Sequence, residues 1–501
     1  MPQNDEAGIL PALRGRNTRD ALLLLALTAG SVLLHGYHYG HQDGAVWLPA
    51  IKKSLDPALY PYDSFFFLAQ TKLTLFDKLV AFSVKSAHVP LDLGVFLWHL
   101  LTIFLVLLGC LRLARRCFAR PATQWAAVTS IWAARLLPIA GTRLNLMDRY
   151  LHPRDLVTGI LLFALVDVLD RRLMALAWLA LAAILHPTMA LFGAFHLAVQ
   201  AWKLPVRLAS VLLVLPFGGI LWGLAHKEAW REVLATRTFL FPSQWRWYEW
   251  LGVVVPLVLL AWFAQVARRD GGRLVEHLCR RLVLAGILGV AGWLLISALP
   301  ALVRLLPAEP MRTLHLLYIL FVFLGGGLLG QHVLRDRPGR WLLFLLPVCL
   351  AFFASNRLFY PSSPHIEWPG RLPRNAWVEG FDWARQNTPR NALFALDPMH
   401  MKRAGEDSRG FRAFAERSML ADAVKDSAVA ANFPELADAW LDQVRSRERW
   451  REFTAEDFRG LRRKYGVTWV VLERRADPRS PGAAGLPCPY ANDAVMVCRV
   501  E

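Results

Sequence analysis

A carboxylate stands among aromatic and imidazole side chains just after the first long apolar segment of the chain. Residues 34–67 are too polar and too rich in proline and glycine to lie in lipid, yet too aromatic for an idle linker. The central carboxylate is Asp43, and its sequence neighbours include Tyr37, His38, His41 and Trp47. A carboxylate in such surroundings can act as a general base toward a hydroxyl group. A helix cap is the competing role for Asp43.

The same loop holds a second carboxylate and a histidine series. Asp63 precedes a predicted helix and is expected to cap it, with a functional role as the alternative. His35, His38 and His41 recur every third residue, just before Asp43. Nitrogen and carboxylate ligands at that spacing can hold a metal ion. The alternative is a set of interfacial rings at the lipid headgroups, which we favour.

Two further segments could bind an anion. The segment 143–155 reads RLNLMDRYLHPRD and contains Arg143, Asp148, Arg149 and His152, while PAEPMR ends at Arg312. Arginine is a rigid, permanently charged fork that suits phosphate oxygens. Alternatively, the first segment is an internal salt-bridge network and Arg312 is an interface anchor. His186 stands in a turn between two apolar runs, where a role without chemistry is favoured.

Composition identifies the elements that must position these side chains. Of the 501 residues, 55% are hydrophobic and 19% are charged. A helix of about 20 apolar residues spans a bilayer. The sequence predicts a mainly α-helical, polytopic transmembrane bundle of about eleven helices, near residues 20–36, 92–111, 122–140, 154–169, 173–186, 188–202, 207–225, 250–267, 282–299, 313–333 and 341–356.

Arginine clusters between the apolar runs indicate the topology. They alternate with longer mixed loops, as expected when the basic connections are cytoplasmic. Because the net charge of +18 resides in these clusters and not in one basic stripe, we expect no nucleic-acid binding. The predicted parts are a cytoplasmic N-terminus over 1–19, a transmembrane module over 20–356, and extracytoplasmic loops over 37–91, 141–153, 226–249 and 300–312.

Residues 357–501 predict a small extracytoplasmic α/β domain. Helical and strand patterns alternate over 377–388, 392–396, 434–445, 455–464 and 467–472. The ending CPYANDAVMVC predicts a hairpin that turns at Asn492 and Asp493. Cys488 and Cys498 stand in its two apposed strands, in an oxidising compartment, which predicts a disulfide between them.

This layout resembles the GT-C superfamily, polytopic glycosyltransferases that use lipid-linked sugar donors. The resemblance covers most of the chain and rests on three short motifs. An acidic residue follows the first membrane helix in GYHYGHQDGAVWLPAI, with DPALYPYD further along the loop. A second polar loop, NLMDRYLHPRD, follows the third span, and Pro310-Met311-Arg312 precedes an external tail. This chain departs from the family in having Gln42-Asp43 in place of a paired acidic motif.

The resemblance implies an activity at the extracytoplasmic face of a bacterial inner membrane. A sugar would move from a polyprenyl-phosphate-linked donor to an acceptor hydroxyl on a glycan, lipid or protein. The family's catalytic acid maps onto Asp43, and a second acid onto Asp148, with Asp63 as a further acid. No metal is assigned, and a divalent cation on Asp43 and Asp148 stays open. Phosphate or lipid binding would fall to Arg143, Arg149 and Arg312, with support from His38, His41, His152 and His186.

Two alternatives belong to other functional classes. A lipid or sugar transporter, or a flippase, would place charged residues near the middle of spans and broken helices in matched halves. A non-catalytic membrane scaffold on the same fold would use Asp43 only as a cap. Convergence of Asp43, Asp148 and Arg312 in one external cavity would favour the enzyme, and their dispersal would favour the scaffold.

Overall fold

The chain folds into a helical bundle with a small mixed-sheet domain docked on one end. The computed structural model describes residues 6–201, 228–474 and 485–501. Within these residues, six helices are long and apolar enough to cross a membrane: Asn17–His35, Leu91–Cys117, Trp247–Arg269, Arg273–Ala298, Pro310–Leu334 and Pro338–Phe359. Such a set of helices is the mark of a multi-pass membrane protein, as the sequence predicted.

Among the described residues, not every predicted span is a helix of full membrane length. The six long helices coincide with six predicted spans, and the predicted span 207–225 lies outside the described residues. The other four fall in helices of 12 to 17 residues: Pro121–Ala133, Pro153–Leu169, Met174–Leu185 and Pro187–Gln200. Proline explains one boundary, because the residue before Pro187 is pushed out of the helical region and so separates two helices.

Burial separates lipid-facing helices from central ones. On the Pro338–Phe359 helix, Leu342, Leu343 and Leu350 are 63%, 77% and 58% exposed. In contrast, residues 153–166 of the Pro153–Leu169 helix are all buried. A helix that is apolar all round is expected in the centre of a bundle. This central helix begins directly after the segment that carries His152, so the segment has a rigid base.

Glycines let two of the helices approach closely. The Thr313–Leu329 helix packs against Pro121–Ala133 through Gly326, and its neighbour Gly327 faces the ring of Phe118 just before that helix. A Cβ on Gly326 would stand 2.2 Å from the Ser130 hydroxyl, so a larger residue would force the helices apart. Small residues at such crossings are the usual means of close packing in membranes. The contact ties the helix that follows Arg312 to the helix that precedes the 143–155 segment.

The first loop is built of short helices. It contains Gly44–Leu55, Ser64–Thr71 and Phe76–Ala87. The first eight residues of Gly44–Leu55 are buried, and this helix packs against Phe76–Ala87 and against Phe411–Ala415 of the C-terminal domain. The start of Gly44–Leu55, where Asp43 stands, is therefore held between the bundle and the domain.

The C-terminal domain is a five-stranded sheet with flanking helices. The strands are β1 (Leu393–Ala395), β2 (Ser418–Met419), β3 (Trp469–Glu473), β4 (Tyr490–Ala491) and β5 (Val495–Arg499), in the order β2-β1-β3-β5-β4. The pairs β1/β2 and β1/β3 are parallel, and β3/β5 and β4/β5 are antiparallel. The helices Ala376–Asn387, Ala437–Arg445 and Ala455–Tyr465 and the final hairpin stand where the sequence placed them. A disulfide joins Cys488 to Cys498.

Candidate functional site

The backbone turns sharply between the first membrane helix and Asp43. The helix ends at His35, and Gly36 and Gly40 adopt positive φ angles of 79° and 70°, which glycine tolerates best. Asp43 then occupies the position before the Gly44–Leu55 helix, but its side chain makes no capping hydrogen bond. The carboxylate is therefore directed to other partners, and a role as a simple helix cap does not describe it.

Three side chains from distant parts of the chain meet the carboxylate of Asp43. The Nζ of Lys425 donates to Oδ1 at 2.8 Å, and the hydroxyl of Tyr150 donates to Oδ2 at 3.3 Å. The Nε2 of His152 is also 3.3 Å from Oδ2. The Asp43 side chain remains 37% exposed, so a ligand can still reach it. The site thus joins the first loop, the second loop and the C-terminal domain.

The hydrogen bonds of His152 define its role. His152 caps the Pro153–Leu169 helix, where its Nδ1 accepts from the backbone N–H of Arg154 at 2.9 Å. Burial and the charge of Arg154 lower the pKa of His152 below its usual value, although Asp43 acts in the opposite direction. The ring is therefore neutral near pH 7 and carries its proton on Nε2. Nε2 is consequently a donor toward Asp43.

Charge governs the ionisation of Asp43. Burial alone would raise the pKa of its carboxyl group, but the charge of Lys425 and the hydrogen bond from His152 outweigh burial. Together they hold the pKa of Asp43 well below its usual value. Asp43 is therefore an anion throughout the physiological pH range.

A second charged group lies within electrostatic range of Asp43. Glu309 pairs with Arg312 and with Arg237, whose Nη2 is 3.3 Å from its Oε1. The negative charge of Asp43 acts on the pKa values of both Glu309 and Arg237. Counted with Lys425, three cations face two carboxylates. This excess of one positive charge suits an incoming anion.

Lys425 is held in place by a buried network of acids. The carboxylate of Asp422 accepts from the backbone N–H of Lys425 at 2.5 Å. Asp426 accepts from Arg412 at 2.8 Å, and Arg412 also binds Asp63. Asp63 additionally accepts from a backbone N–H at 3.0 Å and makes no capping bond, so its predicted cap is wrong. Its contacts give Asp63 a structural role in docking the domain.

His38 and His41 fasten the first loop to the segment that leads into the domain. His38 bonds to Glu367 at 2.8 Å, and Glu367 is also paired with the fully buried Arg409. His41 bonds to the hydroxyl of Tyr360 at 2.6 Å. Both histidines lie beyond the end of the first helix, so they do not share its face with His35. They support the site by positioning the backbone before Asp43.

The remaining predicted residues differ in how close they lie to Asp43. Asp148 pairs with Arg154 behind Tyr150 and His152, so the acid and base alternation there is partly an internal salt-bridge network. The ring of His186 lies 6.1 Å from that of His152, at the edge of the site. Arg149 belongs to the support of the site, because its guanidinium stacks 5.2 Å from the ring of Tyr360, the partner of His41. Arg143 is exposed at a turn with φ of 62°.

The described carboxylates of Asp43 and Asp148 are paired with cations and do not suit a metal ion. Among the described residues, no group of three or more His, Cys, Asp or Glu side chains is arranged to hold a metal ion. The Oδ1 of Asp43 accepts from a lysine, and Asp148 is engaged by Arg154. A divalent cation on Asp43 and Asp148 therefore does not fit this arrangement, and no chemical step is assigned to one.

Lys425, Arg237 and Glu309 belong to the site but were not predicted from the sequence. Lys425 is separated from Asp43 by 382 positions and stands directly before the Asp426–Asn432 helix, where nothing in the local sequence points to Asp43. Arg237 stands in the loop predicted over 226–249, where nothing in the sequence distinguishes it from Arg231 and Arg246. Glu309 had a usable signal, because an acid three residues before Arg312 can pair with it.

No protein-family model matches this chain, and no curated protein matches it significantly.

Proposed function

We propose that this protein is an integral membrane glycosyltransferase that moves a sugar from a polyprenyl-phosphate-linked donor to an acceptor hydroxyl. The observation that carries the proposal is the carboxylate of Asp43. It stands where a cap is expected, makes no capping bond, and is instead ionised, accessible and surrounded by donors from three segments. The donors that meet on this carboxylate, Lys425, Tyr150 and His152, support a site over a scaffold in which Asp43 would serve only as a cap.

The chemistry requires one base and a cationic environment. The acceptor oxygen attacks the anomeric carbon of the sugar as the bond from that carbon to the phosphate oxygen breaks. The electron pair of that bond leaves with the polyprenyl phosphate, and the hydroxyl proton passes to Asp43. An ionised carboxylate within reach of the hydroxyl can serve as this base. The leaving phosphate needs no proton, so a second catalytic carboxyl group is not required.

The cations beside Asp43 fit the charge that develops on the leaving group. Arg312 and Arg237 are 17% and 15% exposed, and Glu309 fixes both guanidinium groups. Preorganised cations stabilise a developing phosphate charge without having to reorganise during the reaction. Lys425 can exchange its bond to Asp43 for a phosphate oxygen, which frees the carboxylate for the acceptor hydroxyl. His152 and Tyr150 then keep the carboxylate oriented.

Bond cleavage distinguishes the proposed enzyme from a transporter. The purified protein in nanodiscs would be given polyprenyl phosphate carrying a radiolabelled sugar, together with a membrane extract as acceptor, and the products separated by thin-layer chromatography. The proposal expects acceptor-dependent release of unlabelled polyprenyl phosphate and appearance of label in a new product. Movement of intact labelled lipid between leaflets of a vesicle, with no cleavage, would instead identify a flippase.

A further inference from the structure

A cavity of about 560 Å³ lies between the first loop and the C-terminal domain, apart from the contacts of Asp43. One wall comes from Tyr37, Tyr39 and the Gly44–Leu55 helix, and the opposite wall from the segment around Trp368 and from Phe414. Such a volume is in the range of small-molecule sites. Tyr37 and Tyr39 also line a narrow crevice that reaches Gly44 and Tyr150, next to Asp43. The cavity therefore adjoins the site.

The lining combines aromatic surface with paired charges. The indole of Trp368 lies at the rim of this polar cavity and is 49% exposed, so its ring is available to a ligand. Lys52 pairs with Glu416 at 2.7 Å, and Arg385 pairs with Asp382 at 2.6 Å. Paired groups of this kind present directed donors and acceptors with little net attraction for an ion. A purely apolar ligand would strip water from them without replacing their hydrogen bonds.

The charge balance of the cavity differs from that around Asp43. Five acidic and three basic side chains line it, and two of the acids, Asp56 and Glu367, are paired with arginines outside the lining. The charges of the cavity are therefore balanced and do not attract a phosphate, whereas the cations near Asp43 attract one. A neutral ligand with both apolar faces and many hydroxyl groups matches this lining. Its apolar face can stack on an indole, and its hydroxyls can bond to the paired side chains. Carbohydrates have this chemistry.

We infer that this cavity binds a neutral glycan, the part of the acceptor that does not react. The inference rests on the proposed function for its place in the reaction, but glycan binding itself can be measured without any transfer. The Trp368 indole is the stacking platform, and the Lys52–Glu416 and Arg385–Asp382 pairs bind hydroxyl groups. Binding energy gained away from the reacting hydroxyl would hold the acceptor beside Asp43.

Binding of chitotetraose and maltotetraose to the full-length protein in nanodiscs free of sugar detergents tests the inference. We expect at least one of them to bind, and Trp368→Ala to weaken that binding about tenfold, with Trp368→Phe closer to wild type. Trp262→Ala is the matched control, because Trp262 is 55% exposed on a membrane helix and does not line the cavity. Glu416→Gln should weaken binding as well.

The outcomes separate this inference from the proposed activity. Asp43→Asn should bind the glycan like wild type, and Trp368→Ala should raise the acceptor KM with little change in donor KM. Glycan binding that depends on Trp368 would support the cavity even if no transfer were found. No binding of either glycan, binding unaffected by Trp368→Ala, or preferential binding of inorganic pyrophosphate or trilysine would overturn the inference.

Discussion

Removing the charge of Lys425 should raise the pKa of Asp43. The Nζ of Lys425 stands 2.8 Å from Oδ1 of Asp43 and, after burial, is the largest influence on its pKa. Two unit charges at that distance attract by about 1.5 kcal/mol in water and by about 6 kcal/mol at an effective dielectric constant near 20. Because 37% of the Asp43 side chain is exposed, solvent screening favours the lower part of this range, about 1.5–3 kcal/mol.

That energy corresponds to a rise of about 1–2 pH units in the pKa of Asp43, since one unit is about 1.36 kcal/mol. The pKa of Asp43 should rise because Lys425 lowers it in the folded protein. Without Lys425, burial disfavours the ionised carboxylate. If the reaction needs the ionised carboxylate, the acid limb of kcat/KM should move upward by the same amount in Lys425→Met. Lys425→Arg keeps the charge and should move the limb little.

The assay is sugar transfer in membranes between pH 2.5 and pH 8, a range that extends below the usual pKa of an aspartate, with Lys402→Met as the matched control because Lys402 is exposed in the same domain. Equal acid limbs in wild type and Lys425→Met would refute the reasoning, because Lys425 would then not set the ionisation of the catalytic group. A shift of the same size in Lys402→Met would attribute the effect to general charge and not to the contact with Asp43.

Three further predictions concern the framework of the site. Glu367→Ala should lower the free energy of unfolding by about 3–5 kcal/mol in denaturant titrations, because it leaves the buried Arg409 without its carboxylate. Glu379→Ala is the control: Glu379 is exposed, so its loss should change the free energy of unfolding by less than about 0.5 kcal/mol. Reduction of the Cys488–Cys498 disulfide should cost about 2–3 kcal/mol of domain stability, and thiol labelling of the unreduced protein should find both cysteines blocked. A tag on the C-terminal domain should be cleaved by protease in intact spheroplasts and one at the N-terminus should not; the reverse pattern would invert the topology.

Periodicity and composition predicted the elements well, because each depends on local sequence. The Trp469–Glu473 strand and the Ala455–Tyr465 helix follow from alternation and from helical spacing within a few residues. The number of membrane spans was harder to predict. Short apolar helices such as Met174–Leu185 have the composition of a membrane span but not its length, because proline and histidine interrupt them.

A residue of the site could be predicted only where its local sequence is unusual. Asp43 and His152 could be selected because each stands in an unusual polar segment beside an apolar run. Lys425 could not, since its approach to Asp43 depends on how the domain docks through Asp63 and Arg412. That docking also explains why Asp63 is not a cap, because its carboxylate neutralises a buried guanidinium instead.

The central claim is that Asp43 takes the proton of the acceptor hydroxyl, and Asp43→Asn tests it most directly. Asparagine keeps the size of the side chain and one oxygen for Lys425, but it cannot serve as the base. With the purified protein saturated with labelled polyprenyl-phosphate sugar, single-turnover transfer should fall by about 10²–10⁴ while donor affinity and unfolding stay near wild type. Transfer by Asp43→Asn at the wild-type rate would contradict the account and remove Asp43 from the chemistry.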